Sequence, residues 1–357
     1  MSKERNYGID CLRILATYFI CIHHILGHGG ALLAATPFSP TFIMLSVISS
    51  IVTCAVNCYG LISGYVGINR QFSYKSLINM WKMVVFYTVG GVILAYLFVP
   101  EAVKGSDFVG AIFPIMSQYY WYFTCYSIAF IFFPFINKAF EVMSKEEIEK
   151  IIITIIVFLI IWPYVLTLVG GMFGETSSVL INAYSASVTN HGYSPWWLLI
   201  LYIIGAYIAK YGNSIKFKST HIILIYIIST IINSFAQMMS VSTTQNTNMM
   251  VGYLSPTTLF SAFALLYFFK DFKFSPRIKK AIAFAAPTTF AIYIIQEEHF
   301  FKKFFVIDKY TALATASPVK ALCLTLLVAA IWFIAMCLIE RCRLFVSKTI
   351  ASKIKKV

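Results

Sequence analysis

The stretch GIDCLRILATYFICIHHILGHGG, from Gly8 to Gly30, decides how the rest of this chain is interpreted. It is apolar enough to enter a bilayer, where a membrane-crossing helix needs about 20 mainly apolar residues. Its ionisable side chains are unusual for such a helix: Asp10, Arg13, His23, His24 and His28. Because a charge inside a bilayer costs about 2.5–3.5 kcal/mol even on the lenient insertion scale, a spanning helix that keeps these residues is expected to use them.

The composition of the whole chain fits a membrane protein. Of its 357 residues, 59% are hydrophobic and 12% are charged, whereas soluble domains carry about 25% charged residues. The net charge of +14 does not indicate a nucleic-acid partner, because the cations lie in short clusters between long apolar runs. The eight cysteines form no CxxC pair, so we predict buried thiols and no metal site.

Apolar runs divide the chain into ten predicted membrane spans. These predicted spans are residues 11–33, 42–66, 77–99, 121–141, 151–173, 196–210, 222–238, 251–270, 281–299 and 318–340. The fold class predicted from this pattern is an all-α, polytopic helix bundle that forms a single domain over residues 1–357.

The distribution of Lys and Arg predicts the orientation. Cations are concentrated in alternate connecting segments and at both ends of the chain. The opposite segments contain only Lys104, Lys302, Lys303 and Lys309. Because cytoplasmic loops carry an excess of Lys and Arg, both termini are predicted to be cytoplasmic.

Helical geometry places Arg13 and His24 on one face of the first span. They are eleven residues apart, roughly three full turns, with a rise of about 16 Å. Arg13 then lies near the cytoplasmic surface and His24 beyond mid-membrane, whereas His23 points about 100° away. An arginine can hold phosphate, and a neutral histidine can accept a proton from a hydroxyl. Alternatively, Arg13 snorkels to lipid phosphates and the histidines only pair with neighbouring helices.

Several segments resemble the membrane acyltransferase-3 family, in its surface-polysaccharide branch. The opening segment, Ile9 to His24, is similar to the family motif that separates an arginine from a histidine by ten residues. Later segments that resemble the family are residues 57–66, 120–137, 202–211 and 288–300. In the last of these, Gln296 stands where the family usually has a histidine, so a proton-transfer role there is in doubt, and Glu297 follows as the acid.

The resemblance implies transfer of an acyl group, commonly acetyl, from cytoplasmic acyl-CoA to a hydroxyl of a bacterial surface polysaccharide or its lipid-linked precursor. It also implies a multi-pass protein of the bacterial plasma membrane, surrounded by lipid and with acetyl-CoA as donor. Relatives often carry an extra extracytoplasmic domain. Since this chain is expected to lack one, it either completes the transfer or passes the acyl group to a separate partner.

The candidate site residues follow from these two arguments. His24 is the predicted base or acyl carrier, with Glu297 at a similar depth to orient it. Arg13 is predicted to bind the donor phosphates with help from Lys75 and Lys82, and Asp10 to orient Arg13. The side chains predicted to contact substrate are Ser63, Tyr65, Trp121, Tyr122 and Gln296.

Two other functions remain open at this point. A transporter or flippase for a glycan or lipid-linked precursor would also use ten helices and a polar track, although paired halves with matching helix breaks are not apparent. A non-catalytic membrane scaffold or sensor is the third class.

Overall fold

A computed structural model describes residues 5–71, 73–117, 119–166, 189–212, 217–242 and 252–354. These residues form helices, turns and loops, with no strand among them. The α-helices of eight or more residues are α1 Tyr7–Leu26, α2 Pro40–Val52, α3 Ala55–Gly67, α4 Tyr74–Phe98, α5 Gly105–Ile112, α6 Trp121–Val142, α7 Lys145–Ile156, α8 Pro195–Tyr211, α9 Ser219–Ser242, α10 Pro256–Phe269, α11 Pro276–Ala285, α12 Thr289–Glu297 and α13 Pro318–Ile354.

Each predicted span is covered, wholly or in part, by described helices. Among the described residues, eight helical segments are long and apolar enough to cross a membrane, and the shorter apolar helices α8 and α10 cover two further predicted spans. The fifth predicted span, 151–173, is described only as far as residue 166. The predicted class, an all-α polytopic membrane bundle, is therefore confirmed.

Helix α1 lies at the centre of the bundle. It packs against α2, α3, α10, α11, α12 and α13, so much of its surface faces protein rather than lipid. The Asn6 side chain caps its start by accepting a hydrogen bond from the Ile9 amide at 3.0 Å. The helix ends at Leu26, earlier than predicted, because the chain turns through Gly27 to Gly30, where Gly30 has φ +78°. Asp10 and His24 are consequently buried within the protein.

Two of the spans contain a break. The second span is interrupted between α2 and α3 at Thr53, whose hydroxyl donates to the Ser49 carbonyl at 2.7 Å. The ninth span is interrupted between α11 and α12 by the 3₁₀ turn Ala286–Thr288, which contains Pro287. Irregular backbone at membrane depth is tolerated where it is enclosed by protein or lines a cavity. The break at Thr53 meets this condition, since Thr53 borders an internal cavity described below.

Helices α3 and α8 approach each other closely through small residues. A side chain added at Gly64 would collide with the Tyr202 carbonyl, and one at Gly205 with the Leu61 carbonyl. Small residues are common at such membrane helix contacts because they let two backbones approach. This contact fixes α3, which borders both cavities of the candidate site.

Gly64→Ala is expected to lower the thermal stability of the detergent-solubilised protein, because overpacking a tight contact costs about 1–3 kcal/mol. Gly90→Ala is the matched control, since a Cβ at Gly90 meets nothing within 4 Å. Thermal unfolding followed by intrinsic fluorescence compares the two. Equal melting temperatures for both variants would contradict the importance of this contact.

Candidate active site

The Arg13 end of α1 holds a cluster of paired charges. Arg13 Nη1 donates to Asp10 Oδ1 at 2.7 Å, and Arg5 Nε donates to Asp10 Oδ2 at 2.5 Å. Asp10 is buried, while the arginine side chains are 41% exposed at Arg5 and 27% at Arg13. Asp10 thus holds two guanidinium groups side by side at the predicted cytoplasmic end, and it contacts Arg13 as predicted.

A cavity with an empty volume of about 1160 Å³ begins at Arg13. Arg13, Ser63 and Arg70 line it, and Tyr65 lines an adjoining cavity of about 1450 Å³ together with Arg5 and Arg70. Arg70 has no carboxylate at ion-pair distance among the described residues, so its charge is available to an anion. Arg70 is not among the site residues predicted from the sequence.

Lys75 and Lys82 lie near the predicted cytoplasmic end of α4, but both are exposed and neither is among the described residues that line these cavities. Their role in donor binding remains a prediction. Arg70, rather than either lysine, lines the same cavities as Arg13.

The His24 end of α1 meets the end of α12. His24 Nδ1 lies 3.1 Å from Gln296 Oε1 and 3.4 Å from Glu297 Oε1. Gln296 is 0% exposed and Glu297 is 4% exposed. The two residues expected at similar depth are therefore in contact, and Gln296 lies against His24 rather than among the described residues that line a cavity.

These contacts favour a proton on Nδ1 of His24. Gln296 Oε1 can accept a hydrogen bond from an N–H at this position, and the Glu297 carboxylate lies close enough to attract its positive end, although Glu297 Oε1 forms no hydrogen bond among the described residues. Nε2 would then keep a lone pair that can accept a proton. The sequence predicts Gln296 as a substrate contact, whereas in the structure its amide oxygen lies against His24 Nδ1.

Glu297 is held by a lysine that the sequence argument does not select. Lys302 Nζ donates to Glu297 Oε2 at 2.8 Å. Lys302 reaches back because the chain turns after α12 through the short helix His299–Phe301 and the π-turn Lys302–Val306. The ammonium balances the carboxylate charge, which stabilises an ionised Glu297 away from bulk water.

His24, His28 and Glu297 also offer potential metal-ligand atoms within 4.8 Å of one another. His28 Nε2 lies 3.8 Å from Glu297 Oε1. Lys302 offsets the carboxylate charge, which reduces the attraction of this cluster for a metal cation.

A second cavity, with an empty volume of about 540 Å³, borders His24. Its wall includes His23, Thr53, Trp121, Tyr122 and Tyr253. Helical phase separates His23 from His24 by about 100°, but both histidines border the cavity, as does Thr53 at the break in the second span. Trp121 and Tyr122 line this cavity, in keeping with the prediction that they contact substrate.

Three aromatic rings separate the two cavities. Tyr59, Tyr122 and Phe290 line both of them. Tyr59 is anchored by its hydroxyl, which donates to the Arg13 carbonyl at 3.2 Å. The arginine-lined cavity and the histidine-lined cavity are thus neighbouring compartments along α1.

Glu298 and His299, the two residues after Glu297, form contacts away from His24. The Glu298 carboxylate accepts a hydrogen bond from the Phe301 amide at 2.8 Å. His299 stacks on Tyr119 with ring centroids 5.0 Å apart. Neither side chain contacts His24 among the contacts of the described residues.

Comparison with known proteins identifies the family of this chain. The family model described as an acyltransferase domain matches residues 6–338, which include both ends of the site from Asp10 to Lys302. Searches of the curated proteins and of the solved structures find no match. The match covers most of the chain, and the protein therefore belongs to the acyltransferase-3 family of membrane acyltransferases.

Proposed function

We propose that this protein transfers an acetyl group from cytoplasmic acetyl-CoA to a hydroxyl of a bacterial surface polysaccharide or its lipid-linked precursor. The observation that carries the proposal is the pairing of two compartments along α1. Arg13 and Arg70 line one of them, and His24, whose Nδ1 lies 3.1 Å from Gln296 Oε1 and 3.4 Å from Glu297 Oε1, lines the other. The family match favours a transferase over a flippase.

The donor would bind at the arginine end. The guanidinium groups of Arg13 and Arg70, which line the same cavity, suit the phosphates of coenzyme A. Asp10 holds Arg13 in place for this contact. The rise of about 16 Å from Arg13 to His24 is a distance that an extended pantetheine arm can bridge. The thioester would then lie in the His24 cavity.

The transfer step uses the free lone pair of His24. His24 Nε2 removes the proton of the acceptor hydroxyl, and the oxygen of that hydroxyl attacks the thioester carbonyl. A carbon–oxygen ester bond forms, the carbon–sulfur bond breaks, and the coenzyme A sulfur leaves with the proton that His24 returns. Glu297 stabilises the transient imidazolium, and Lys302 keeps Glu297 ionised.

The proposed route requires the thioester to pass Tyr59, Tyr122 and Phe290. Rotation of these rings would join the two compartments when the donor binds. The protein would act in the bacterial plasma membrane, with donor and acceptor approaching from opposite sides. Either this chain completes the transfer or a separate extracytoplasmic partner receives the acyl group.

The donor part of the proposal is tested with Arg70→Ala in purified protein reconstituted in nanodiscs. The KM for acetyl-CoA should rise about 10- to 100-fold, because a hydrogen bond to a charged group is worth about 1.5–3 kcal/mol. Lys218→Ala is the matched control, an exposed cation on the same predicted cytoplasmic side that does not line the described cavities. Equal KM values for the two variants would contradict donor binding at Arg70.

A further inference from the structure

The cavity beside His24 has a chemical character of its own. Most of the large side chains that line it are aromatic: Trp121, Tyr122, Tyr253, Phe290 and Tyr293. Among the described residues that line it there is no Lys, Arg, Asp or Glu. Such a lining disfavours a phosphorylated or strongly charged ligand and favours a neutral one with apolar faces.

Buried polar atoms in this wall lack partners. His23 Nδ1, Tyr122 Oη and Tyr293 Oη are enclosed without a hydrogen bond among the described residues, although all three side chains line the cavity. A buried polar group left unpaired costs about 1–3 kcal/mol, so such groups are rare without a ligand or water to satisfy them. A ligand that carries several hydroxyl groups would satisfy them.

An aromatic cluster lies where this cavity approaches the extracytoplasmic side. Trp121 begins α6 and stacks on Tyr253, with ring centroids 5.8 Å apart. Tyr193 packs against Trp121 at 4.5 Å and is 42% exposed. Tyr193 and Tyr253 lie just before α8 and α10, whose starts share the predicted extracytoplasmic side with Trp121. The cluster therefore extends from the His24 cavity to the side from which a surface glycan would enter.

A sugar ring matches both the aromatic faces and the unpaired polar atoms of this cavity. Its axial C–H groups pack on aromatic faces, and its hydroxyls both donate and accept hydrogen bonds at the edges of the ring. We propose that this cavity is the acceptor subsite, which binds one neutral sugar ring against Trp121 and Tyr253 with its hydroxyls on His23 and Tyr293.

This inference rests on the proposed transfer to a glycan and adds the place where the acceptor binds. One acceptor hydroxyl would face His24 Nε2, while the neighbouring hydroxyls bond to His23 Nδ1 and Tyr293 Oη. The site would thereby choose which hydroxyl is acylated. A phosphate-bearing sugar residue would be a poor acceptor, since the described lining offers no cation to it.

The test measures transfer from labelled acetyl-CoA to surface glycan extracted from cells that lack the gene, using protein in nanodiscs. Trp121→Ala should raise the KM for glycan about tenfold while the KM for acetyl-CoA stays at the wild-type value. Trp121→Phe should restore much of the glycan affinity because it retains an aromatic face. Trp196→Ala is the matched control, an aromatic residue that starts the neighbouring α8, is 60% exposed and does not line the cavity.

The outcomes separate the two claims. If wild-type protein transfers label and Trp121→Ala raises both KM values or neither, the acceptor subsite is wrong while the proposed function stands. If wild-type protein transfers no label to the glycan, the proposed function fails and the subsite with it. A selective change in the glycan KM that is absent in Trp196→Ala supports the subsite.

Discussion

Replacing His24 with alanine should reduce the kcat for acyl transfer by about 10²–10⁴-fold, the contribution that a positioned general base typically makes. The reason is geometric: Gln296 Oε1 lies 3.1 Å from His24 Nδ1 and Glu297 lies beside it, which favours Nε2 as the proton acceptor. The KM for acetyl-CoA should change little, because the phosphates bind at the other end of α1. Steady-state kinetics on protein in nanodiscs measures both parameters.

His299→Ala is the control for this substitution. His299 stacks on Tyr119 just beyond α12 and does not line the His24 cavity, so its loss should leave kcat near the wild-type value. Size-exclusion profiles must show equal amounts of folded protein for both variants. A near-normal kcat for the His24→Ala variant would show that His24 is not the general base.

Glu297→Gln should lower kcat by about 10²-fold at a nearly unchanged KM for acetyl-CoA. The variant keeps the shape of the side chain but removes the negative charge that stabilises the His24 imidazolium. The loss should be smaller than the roughly 10⁴-fold effect of the comparable exchange in a serine-protease triad, because Gln296 still accepts from His24 Nδ1. Adding Gln296→Leu to Glu297→Gln should therefore reduce kcat further.

Glu298→Gln provides the matched comparison, since Glu298 is the next residue and is also buried. Its side chain caps the turn at Phe301, a role that an amide oxygen can fill. Equal kinetic losses in Glu297→Gln and Glu298→Gln would show that the region matters only for folding.

The local pattern of the sequence predicts what lies on a single helix. Hydropathy identifies every span that the structure describes, and helical period separates Arg13 from His24 along α1. Counting residues from the ends of the spans also predicts that His24 and Glu297 lie at the same depth, and they are 3.4 Å apart. These predictions succeed because a helix has a fixed rise and a fixed angle per residue.

The features that sequence reasoning missed depend on how separate segments pack together. Thr53, at the break in the second span, borders the same cavity as His23 and His24. Lys302 reaches Glu297 only because the chain folds back after α12. Arg70 follows α3, which packs against α1, and it lines the same cavity as Arg13, so the local sequence near either residue does not predict that they share a cavity.

The most direct test of the central claim is sided transfer in proteoliposomes. Surface glycan from cells that lack the gene is enclosed, and labelled acetyl-CoA is added outside to vesicles whose protein has its termini outward. Wild-type protein should place the label on the enclosed glycan as an ester, whereas His24→Ala should leave the glycan unlabelled. Label on the glycan in both preparations, or in neither, would contradict transfer through the bundle at His24.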